Sequence, residues 1–308
     1  MRQLRPLILV FLFLAPVAAL SAISADDLPG SSKWYFHADF EQMRSSEAGR
    51  HLYAWLQDEV FEDIREDAGF DLDKEADSLT AFATENDGTV IVIEGNISRD
   101  TEDKIVAMGA SSVSMDRYGS GGKAFYHIKD DDDVEFEGDE IKIDVDSFDN
   151  GVFLSFAVKN KLIVTSTREK MEQLLDNKGR ISSTRSEKGQ LFVLSAERGL
   201  IQAGAHTAGL DGNGDWDSNI LRNTKHAALL VADKKGKISI EAQLVTAEPE
   251  MADSLASIVR GLISLQVFND DLDPEVSSFL QNTSVDVDET KLTISVALDP
   301  EVVVAAIE

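Results

Sequence analysis

The amino-acid sequence predicts an α+β fold, with two structurally similar halves of mostly antiparallel sheet, helices on one face, and ferredoxin-like elements. Three observations carry this prediction. Short segments with apolar residues at every second position are interspersed with segments whose apolar residues recur every three or four positions, as strands and amphipathic helices require. Many alternating segments are paired across short turn sequences, which is typical of antiparallel hairpins. Both halves share the order strand, helix, two strands, helix, two strands, helix, which indicates an internal duplication.

The first half begins with an aromatic, alternating segment at 34–40, which predicts a strand. The segment 45–67 has apolar residues at helical spacing and predicts one amphipathic helix that ends at Gly69. Ser98 and Ser166 precede two further helical segments and are predicted to cap them. The remaining predicted elements of this half are strands at 78–84, 89–95, 111–118, 123–129, 140–147, 152–158 and 161–165.

The second half repeats this order from Leu191. Its longest predicted helix begins after Thr246, with Pro249 in the first turn. Proline is favourable there because backbone N–H groups of the first turn have no partner within the helix, so the N–H that proline lacks is not needed. Asp299 and Pro300 are predicted to start the last helix in the same way. The other predicted elements are a strand at 191–196, a helix at 197–207, a hairpin of 225–232 and 237–245 that turns at 233–236, and a hairpin of 284–288 and 291–298.

The domain organisation starts with a predicted signal peptide at 1–25. Arg2 and Arg5 give it a positive start, an apolar run from 7 to 20 follows, and small residues lead to a cleavage site after Ala25. We therefore expect a soluble periplasmic or secreted mature protein. Its predicted parts are a first α+β unit at 26–176 with an acidic insertion at 111–150, a polar linker at 177–189, and a second α+β unit at 190–308.

The composition limits the classes of partner. Lys and Arg total 29 against 56 Asp and Glu, a formal net charge of −27. Such a field repels nucleic acid and favours cations, a basic protein partner or a small ligand, although solubility in a salty milieu would explain it as well. No later segment is apolar enough to predict stable membrane insertion after signal cleavage. The absence of cysteine excludes thiol catalysis and thiolate metal sites.

Part of the chain resembles a known group of sequences. The run Phe36-His37-Ala38-Asp39-Phe40, the step Gly69-Phe70-Asp71-Leu72, the strand at 90–95 and the helix from Arg99 are similar to a pattern in uncharacterised exported bacterial proteins. The resemblance covers most of the first half and extends more faintly into the second. It implies a repeated α+β fold and no named activity, so it assigns no functional residue.

Two acidic segments are candidate cation sites. The run Asp130–Glu140 is rich in carboxylates, and its plainest interpretation is a solvated loop, although it could bind Ca²⁺ or a basic surface. The segment 211–217 places Asp211, Asn213, Asp215 and Asp217 at alternate positions between glycines, which resembles a calcium loop. Its match is partial, because Trp216 stands where an EF-hand requires glycine. These four residues are the predicted weak Ca²⁺ ligands, and a polar loop is the alternative.

The sequence contains no recognisable catalytic motif. The five histidines have no second ligand at metal-binding spacing, and neither a nucleophile elbow nor a phosphate-binding glycine loop occurs. Acidic residues are too numerous for a glycosidase pair to be recognised by spacing. The sequence therefore predicts an exported, non-enzymatic binding or interaction protein that has no cofactor, with Ca²⁺ as the one candidate. The alternatives are a calcium-stabilised structural or adhesive module and an acid-dependent hydrolase.

Overall fold

The protein is mixed helix and antiparallel sheet, which confirms the predicted α+β class. A computed structural model describes residues 32–68, 70–84, 88–112, 115–129, 151–181, 189–197, 224–267 and 279–307. Among the helices of these ranges, none combines the length and the apolar composition needed to span a bilayer.

Twelve strands and eight α-helices lie in these ranges. The strands are β1 Ser32–Asp39, β2 Ser78–Thr84, β3 Gly88–Glu94, β4 Met115–Tyr118, β5 Phe125–Ile128, β6 Val152–Ser155, β7 Lys161–Thr165, β8 Gln190–Glu197, β9 Thr224–Lys234, β10 Lys237–Thr246, β11 Ser284–Asp288 and β12 Lys291–Leu298. The helices are α1 Phe40–Ser45, α2 Glu47–Leu56, α3 Glu62–Ala68, α4 Leu72–Glu75, α5 Arg99–Ser112, α6 Arg168–Asp176, α7 Pro249–Val267 and α8 Pro300–Ile307. A π-helical turn, Gln57–Phe61, joins α2 to α3, and a 3₁₀ turn, Gly121–Lys123, precedes β5.

The described chain divides into two compact units. The first unit contains 32–41 and 55–181, and the second contains 42–54 and 189–307. Most of α1 and most of α2 therefore belong to the second unit, although the strands on either side of them belong to the first. The predicted boundaries at 26–176, 177–189 and 190–308 stay a prediction, as does the duplication of the two halves.

The sheet of the first unit has the strand order β1-β2-β3-β7-β6-β5-β4, and each neighbouring pair is antiparallel. A ferredoxin-like split unit would place a third strand between the two strands that flank the first helix. Here β1 and β2 are antiparallel neighbours, with Asp39 opposite Ser78. The helices from 40 to 75 therefore leave the sheet and return to it at the same end.

The sheet of the second unit has the order β11-β12-β10-β9-β8, again with antiparallel neighbours. Helix α7 packs on one face of this sheet, where Leu255 and Ala256 meet Leu244, Leu292 and Ile294 in one buried cluster. Packing these five side chains together removes apolar surface from water. The burial stabilises the contact between α7 and the sheet by about 25 cal/mol for each Å² of apolar surface.

Several element boundaries differ from the prediction. Phe40 begins α1 instead of ending a strand, and its ring packs edge-to-face on Phe61 with centroids 5.3 Å apart. The predicted strand from 111 is wrong in its first residues, because α5 extends to Ser112 and β4 begins only at Met115. Thr167, one residue after the predicted Ser166, caps α6 by accepting a hydrogen bond from the Lys170 N–H.

The turn between β9 and β10 is also shorter than predicted. It consists of Lys235 and Gly236, whose φ angles are +59° and +80°. Two successive positive φ values match the right-handed twist of a two-residue hairpin. The strands therefore extend to Lys234 and from Lys237.

Other predicted features lie outside the described residues. They are the strand at 140–147, nearly all of the helix at 197–207, the acidic run at 130–140, and the centre of the linker, 182–188.

Candidate functional site

Strand β10 buries both of its faces, although its sequence alternates between apolar and polar residues. The apolar positions include Ile240, Ala242 and Leu244 and face the buried cluster under α7. Alternation of this kind normally places the polar positions in solvent. In the structure Ser239, Glu241 and Gln243 are only 1%, 2% and 6% exposed. The polar side of the strand is therefore part of the interior.

Neighbouring strands extend this polar surface, because residues directly opposite each other in antiparallel strands share a face. Ser295 of β12 lies opposite Glu241. Ala228 of β9 lies opposite Gln243, and Ser195 of β8 lies opposite Ala228. Ser195 and Ser295 are also buried. We define the polar face as Ser195, Ser239, Glu241, Gln243 and Ser295.

Part of the polar face is internally hydrogen-bonded. Gln243 Nε2 donates to Glu241 Oε1 at 2.7 Å, which leaves the amide oxygen of Gln243 as a further acceptor. The Ser295 hydroxyl lies 2.6 Å from the hydroxyl of Ser284 on β11. These bonds orient Glu241 and Ser295 within the sheet.

Among the described residues, two hydroxyls of the polar face have no hydrogen-bond partner. They are Ser195 Oγ and Ser239 Oγ, and both residues are 1% exposed. Leaving a buried polar atom unsatisfied costs about 1–3 kcal/mol, so folded proteins rarely retain such atoms without a reason. A bound polar molecule would supply the missing hydrogen bonds.

Alanine side chains lie beside two residues of the polar face. Ser239 lies between Ala232 of β9 and Ala297 of β12, and Gln243 has Ala228 on one side. An alanine side chain has no polar atom, so these neighbours do not supply the hydrogen bond that Ser239 Oγ lacks.

The first unit contains a group of stacked side chains, which we call the aromatic cluster: Tyr118, Phe125, His127, Phe153 and Arg168. The rings of His127 and Phe153 stack with centroids 4.1 Å apart, and those of Tyr118 and Phe125 lie 5.3 Å apart. The Arg168 guanidinium lies 4.8 Å from the centre of the Tyr118 ring. Because these groups stack on one another, we interpret the aromatic cluster as the packing that joins α6 to the β4–β5 hairpin.

The other histidines of the described chain occupy separate places. His37 is buried on β1, with Nδ1 2.8 Å from Thr80 Oγ1. Burial lowers the pKa of His37, while the negative charges of Asp39 and Glu94 act in the opposite direction and raise it. Burial also lowers the pKa of His226 on β9. His51 on α2 lies 3.8 Å from Glu301 at the surface. Within the described ranges, no three His, Asp or Glu side chains gather as a metal site would require.

The predicted calcium ligands Asp211, Asn213, Asp215 and Asp217 lie outside the described residues. The sequence prediction also did not single out the polar face. Its only sequence signal is the alternation of β10, which is equally typical of a strand with one solvated face. Burial of that face depends on tertiary structure, so the pattern alone could not identify it.

The fold and the site define an α+β protein whose second unit buries a polar sheet face. No protein-family model and no curated protein matches the chain. Among solved structures, the chain is similar to TP0453 in crystal form IV, with a TM-score of 0.47 and 11% identity over 91% of this chain and 95% of that one. Crystal form I gives a TM-score of 0.42 and 10% identity, covering 93% and 97%. Crystal form III gives 0.40 and 9%, covering 93% and 98%. Similarity at this level of identity carries no information about a ligand.

Proposed function

We propose that this chain is an exported, non-enzymatic binding protein that encloses a small polar ligand on the polar face. The single observation that carries the proposal is the pair of buried hydroxyls, Ser195 Oγ and Ser239 Oγ, that lack hydrogen-bond partners. A face that is polar in sequence and buried in structure suits a molecule that brings its own hydrogen-bonding groups. The strands supply a rigid support, as precise binding sites require.

The chemistry of the polar face favours binding over catalysis. A serine nucleophile needs a general base within hydrogen-bonding distance. Within the described chain, neither Ser195 Oγ nor Ser239 Oγ has a hydrogen-bond partner that could serve as this base. Glu241 Oε1 accepts from the Gln243 amide, which positions the carboxylate as a hydrogen-bond acceptor. These groups can orient a ligand, and they form no nucleophile–base pair.

The location outside the cytoplasm belongs to the same proposal. Arg2, Arg5 and the apolar run before Ala25 support cleavage of a signal peptide and a periplasmic or secreted mature chain. The net charge of −27 supports a cationic ligand or a basic partner over nucleic acid.

A calcium-stabilised structural or adhesive module is the alternative function. It is supported by the oxygen-bearing side chains of Asp211, Asn213, Asp215 and Asp217 or by the acidic run at 130–140. A ligand that binds the native state raises the melting temperature. Equal melting curves in millimolar Ca²⁺ and in chelator would exclude this alternative.

Serine-to-alanine substitutions test the proposed site. In the ligand-free protein, Ser195→Ala and Ser239→Ala should each leave stability unchanged or raise it by up to about 1–3 kcal/mol, because they remove an unsatisfied buried hydroxyl. Ser295→Ala is the matched control on the same face. It should destabilise by about 0.5–1.5 kcal/mol, because it breaks the bond to Ser284. Urea denaturation measures all three.

The ligand itself is sought by native mass spectrometry of the mature protein from the exported fraction. We expect the wild type to carry an additional small mass, and the double variant Ser195→Ala/Ser239→Ala to carry less of it. An identical mass in both proteins, together with destabilisation by both single substitutions, would contradict the proposed binding site.

A further inference from the structure

We propose that the outer surface of α7 is a contact site for a second copy of this chain. Three large apolar side chains there, Ile258, Leu262 and Leu265, are 42%, 44% and 72% exposed. Their spacing of four and three residues places them on one side of the helix, in the repeat that helix pairs use. We define the α7 stripe as these three residues and Gly261. The inference does not depend on the proposed ligand, because α7 packs on the face of the sheet opposite to the polar face.

Gly261 leaves open space at the centre of the α7 stripe. Glycine in the interior of a helix is destabilising relative to alanine, so its presence there requires a reason. A Cβ added at Gly261 would meet no atom of the described chain within 4 Å. Packing within the second unit therefore does not explain the glycine, whereas the close approach of another molecule does.

The α7 stripe is complementary to itself in an antiparallel pair of helices. A two-fold axis between Gly261 and Leu262 places Leu262 of each copy over Gly261 of the other. The same axis places Ile258 of each copy beside Leu265 of the other. Each copy thus supplies both a projecting side chain and the space that receives it, as a symmetric interface requires.

The exposed serines of α7 can be removed from water at low cost. The hydroxyls of Ser254, Ser257 and Ser264 donate to backbone carbonyls four residues earlier, at 2.7, 2.8 and 2.8 Å. A polar group whose hydrogen bond is already made does not lose it when a partner excludes water. Their small side chains also allow a second helix to lie close.

The charge distribution favours a second copy over a basic partner. Asp and Glu make up 56 of the 308 residues, yet none occurs in the segment 254–269. The only charged residue of this segment is Arg260, which donates to the Val285 carbonyl on β11 at 2.6 Å. A surface for a basic partner would carry acids, whereas contact between two acidic copies requires their absence.

The edge strand beside α7 has the same separation of charge. Val285 and Val287 of β11 pack against the buried cluster under α7. Asp286 and Asp288 alternate with them along the strand, so they lie on the other face of the sheet. The acids of β11 therefore do not border the α7 stripe.

The expected dimer is weak and depends on salt. Contact through one helix surface buries less than the about 800 Å² per partner of a stable interface, so we expect a Kd on the order of 100 µM. The net charge of −27 on each chain opposes association. Salt screens this repulsion, so added salt should tighten the dimer, whereas it would weaken a complex with a basic partner.

Sedimentation velocity of the full mature protein, from about 10 to about 500 µM and at about 50 and 500 mM NaCl, measures the self-association. We expect a dimer whose Kd is at least about threefold lower at the higher salt. Leu262→Glu should raise the Kd at least about tenfold, because it places like charges against each other at the two-fold axis. Leu194→Glu is the matched control, since it makes the same substitution at a leucine of β8 that is 37% exposed, and it should leave the Kd unchanged.

Gly261→Leu separates specific pairing from general apolar attraction. The added side chain has room in the single copy and improves helix propensity, so the variant should fold at least as stably as the wild type. It fills the space that receives Leu262 of the other copy, so the dimer should weaken several-fold although the apolar surface has grown. Thermal melting followed by circular dichroism checks the folding of each variant.

Several results would overturn the inference. A protein that stays monomeric at every concentration and salt would do so, as would a dimer that Leu194→Glu weakens as much as Leu262→Glu. Tighter association of Gly261→Leu would show general apolar attraction, and a dimer that added salt weakens would show ion pairing elsewhere. Cosedimentation of the monomer with phosphatidylcholine vesicles, lost in Leu262→Glu, would assign the α7 stripe to a lipid surface instead.

Discussion

At the scale of single residues, His37 shows how burial couples ionisation to stability. It is 8% exposed, and its Nδ1 lies 2.8 Å from the Thr80 hydroxyl. Burial in the first unit lowers its pKa, while Asp39 and Glu94 oppose that effect without reversing it. The unfolded chain, with a histidine pKa of about 6.5, therefore binds a proton more readily than the folded chain does.

The direction of the pH dependence follows from this difference. As pH falls through about 6.5 toward the lower pKa of folded His37, the unfolded state gains protons first and the free energy of unfolding decreases. A pKa difference of one corresponds to about 1.4 kcal/mol. We expect His37→Gln to show a smaller loss of stability than the wild type between pH 7.5 and 5, as measured by urea denaturation.

Substitution of an exposed histidine serves as the control for the pH dependence. His51→Gln changes an exposed imidazole on α2 and should keep the pH dependence of the wild type. Parallel curves for His37→Gln and the wild type would instead assign the acid sensitivity to other groups, of which His226 is the next to test, because burial lowers its pKa too.

At the scale of elements, the start of α5 depends on a carboxylate from another helix. Ser98 caps α5 in the predicted manner, since its Oγ accepts from the Thr101 N–H at 3.1 Å. Glu75 at the end of α4 accepts from the Ser98 N–H at 2.9 Å and from the hydroxyls of Ser98 and Thr101 at 2.9 and 2.6 Å. Three donors near the beginning of α5 thus converge on a single carboxylate.

Removing this carboxylate should destabilise the first unit. Hydrogen bonds to a charged group contribute about 1.5–3 kcal/mol, and Thr101 is 3% exposed and would lose a buried partner. We therefore expect Glu75→Ala to lower the free energy of unfolding by about 2–4 kcal/mol in urea denaturation. The control is Asp103→Ala, which removes an exposed acid on α5 and should change the free energy of unfolding by less than about 0.5 kcal/mol. Equal losses in the two variants would contradict the role of Glu75.

The same elements show what local sequence can and cannot predict. Ser98 was predictable as a cap, because capping is a contact over three residues. Glu75 was not, because it lies 23 residues before Ser98 and reaches it only through the fold. The helix predicted at 45–67 likewise shows an apolar face, yet nothing in that face tells which unit buries it. In the structure Ala48 donates to Asp233 Oδ2 at 2.9 Å, a contact over 185 positions.

At the scale of the whole molecule, the fold class was predictable and the candidate site was not. Antiparallel pairing follows from hairpins with short turns, and the hairpins β2–β3, β9–β10 and β11–β12 occur where the alternation predicted them. The polar face depends on a different property, the burial of a strand surface whose sequence is typical of solvent exposure. Ser239, Glu241 and Gln243 became candidates only through their low exposure. A two-residue period indicates that β10 has two different faces and leaves open what covers each of them.

The compartment is the remaining property of the whole molecule, and it depends on the first 25 residues. Cleavage after Ala25 would remove Arg2 and Arg5 and make a chain with a net charge of −27 more acidic still. We expect the intact mass of the native protein to match a chain that begins at Asp26, in the periplasmic or secreted fraction. Leu12→Arg places a charge in the apolar run and should retain the uncleaved chain in the cytoplasm, whereas Leu12→Ile should be exported normally. A cytoplasmic protein that still carries Met1 would contradict export. It would also place the polar face among cytoplasmic small molecules, from which its ligand would then have to come.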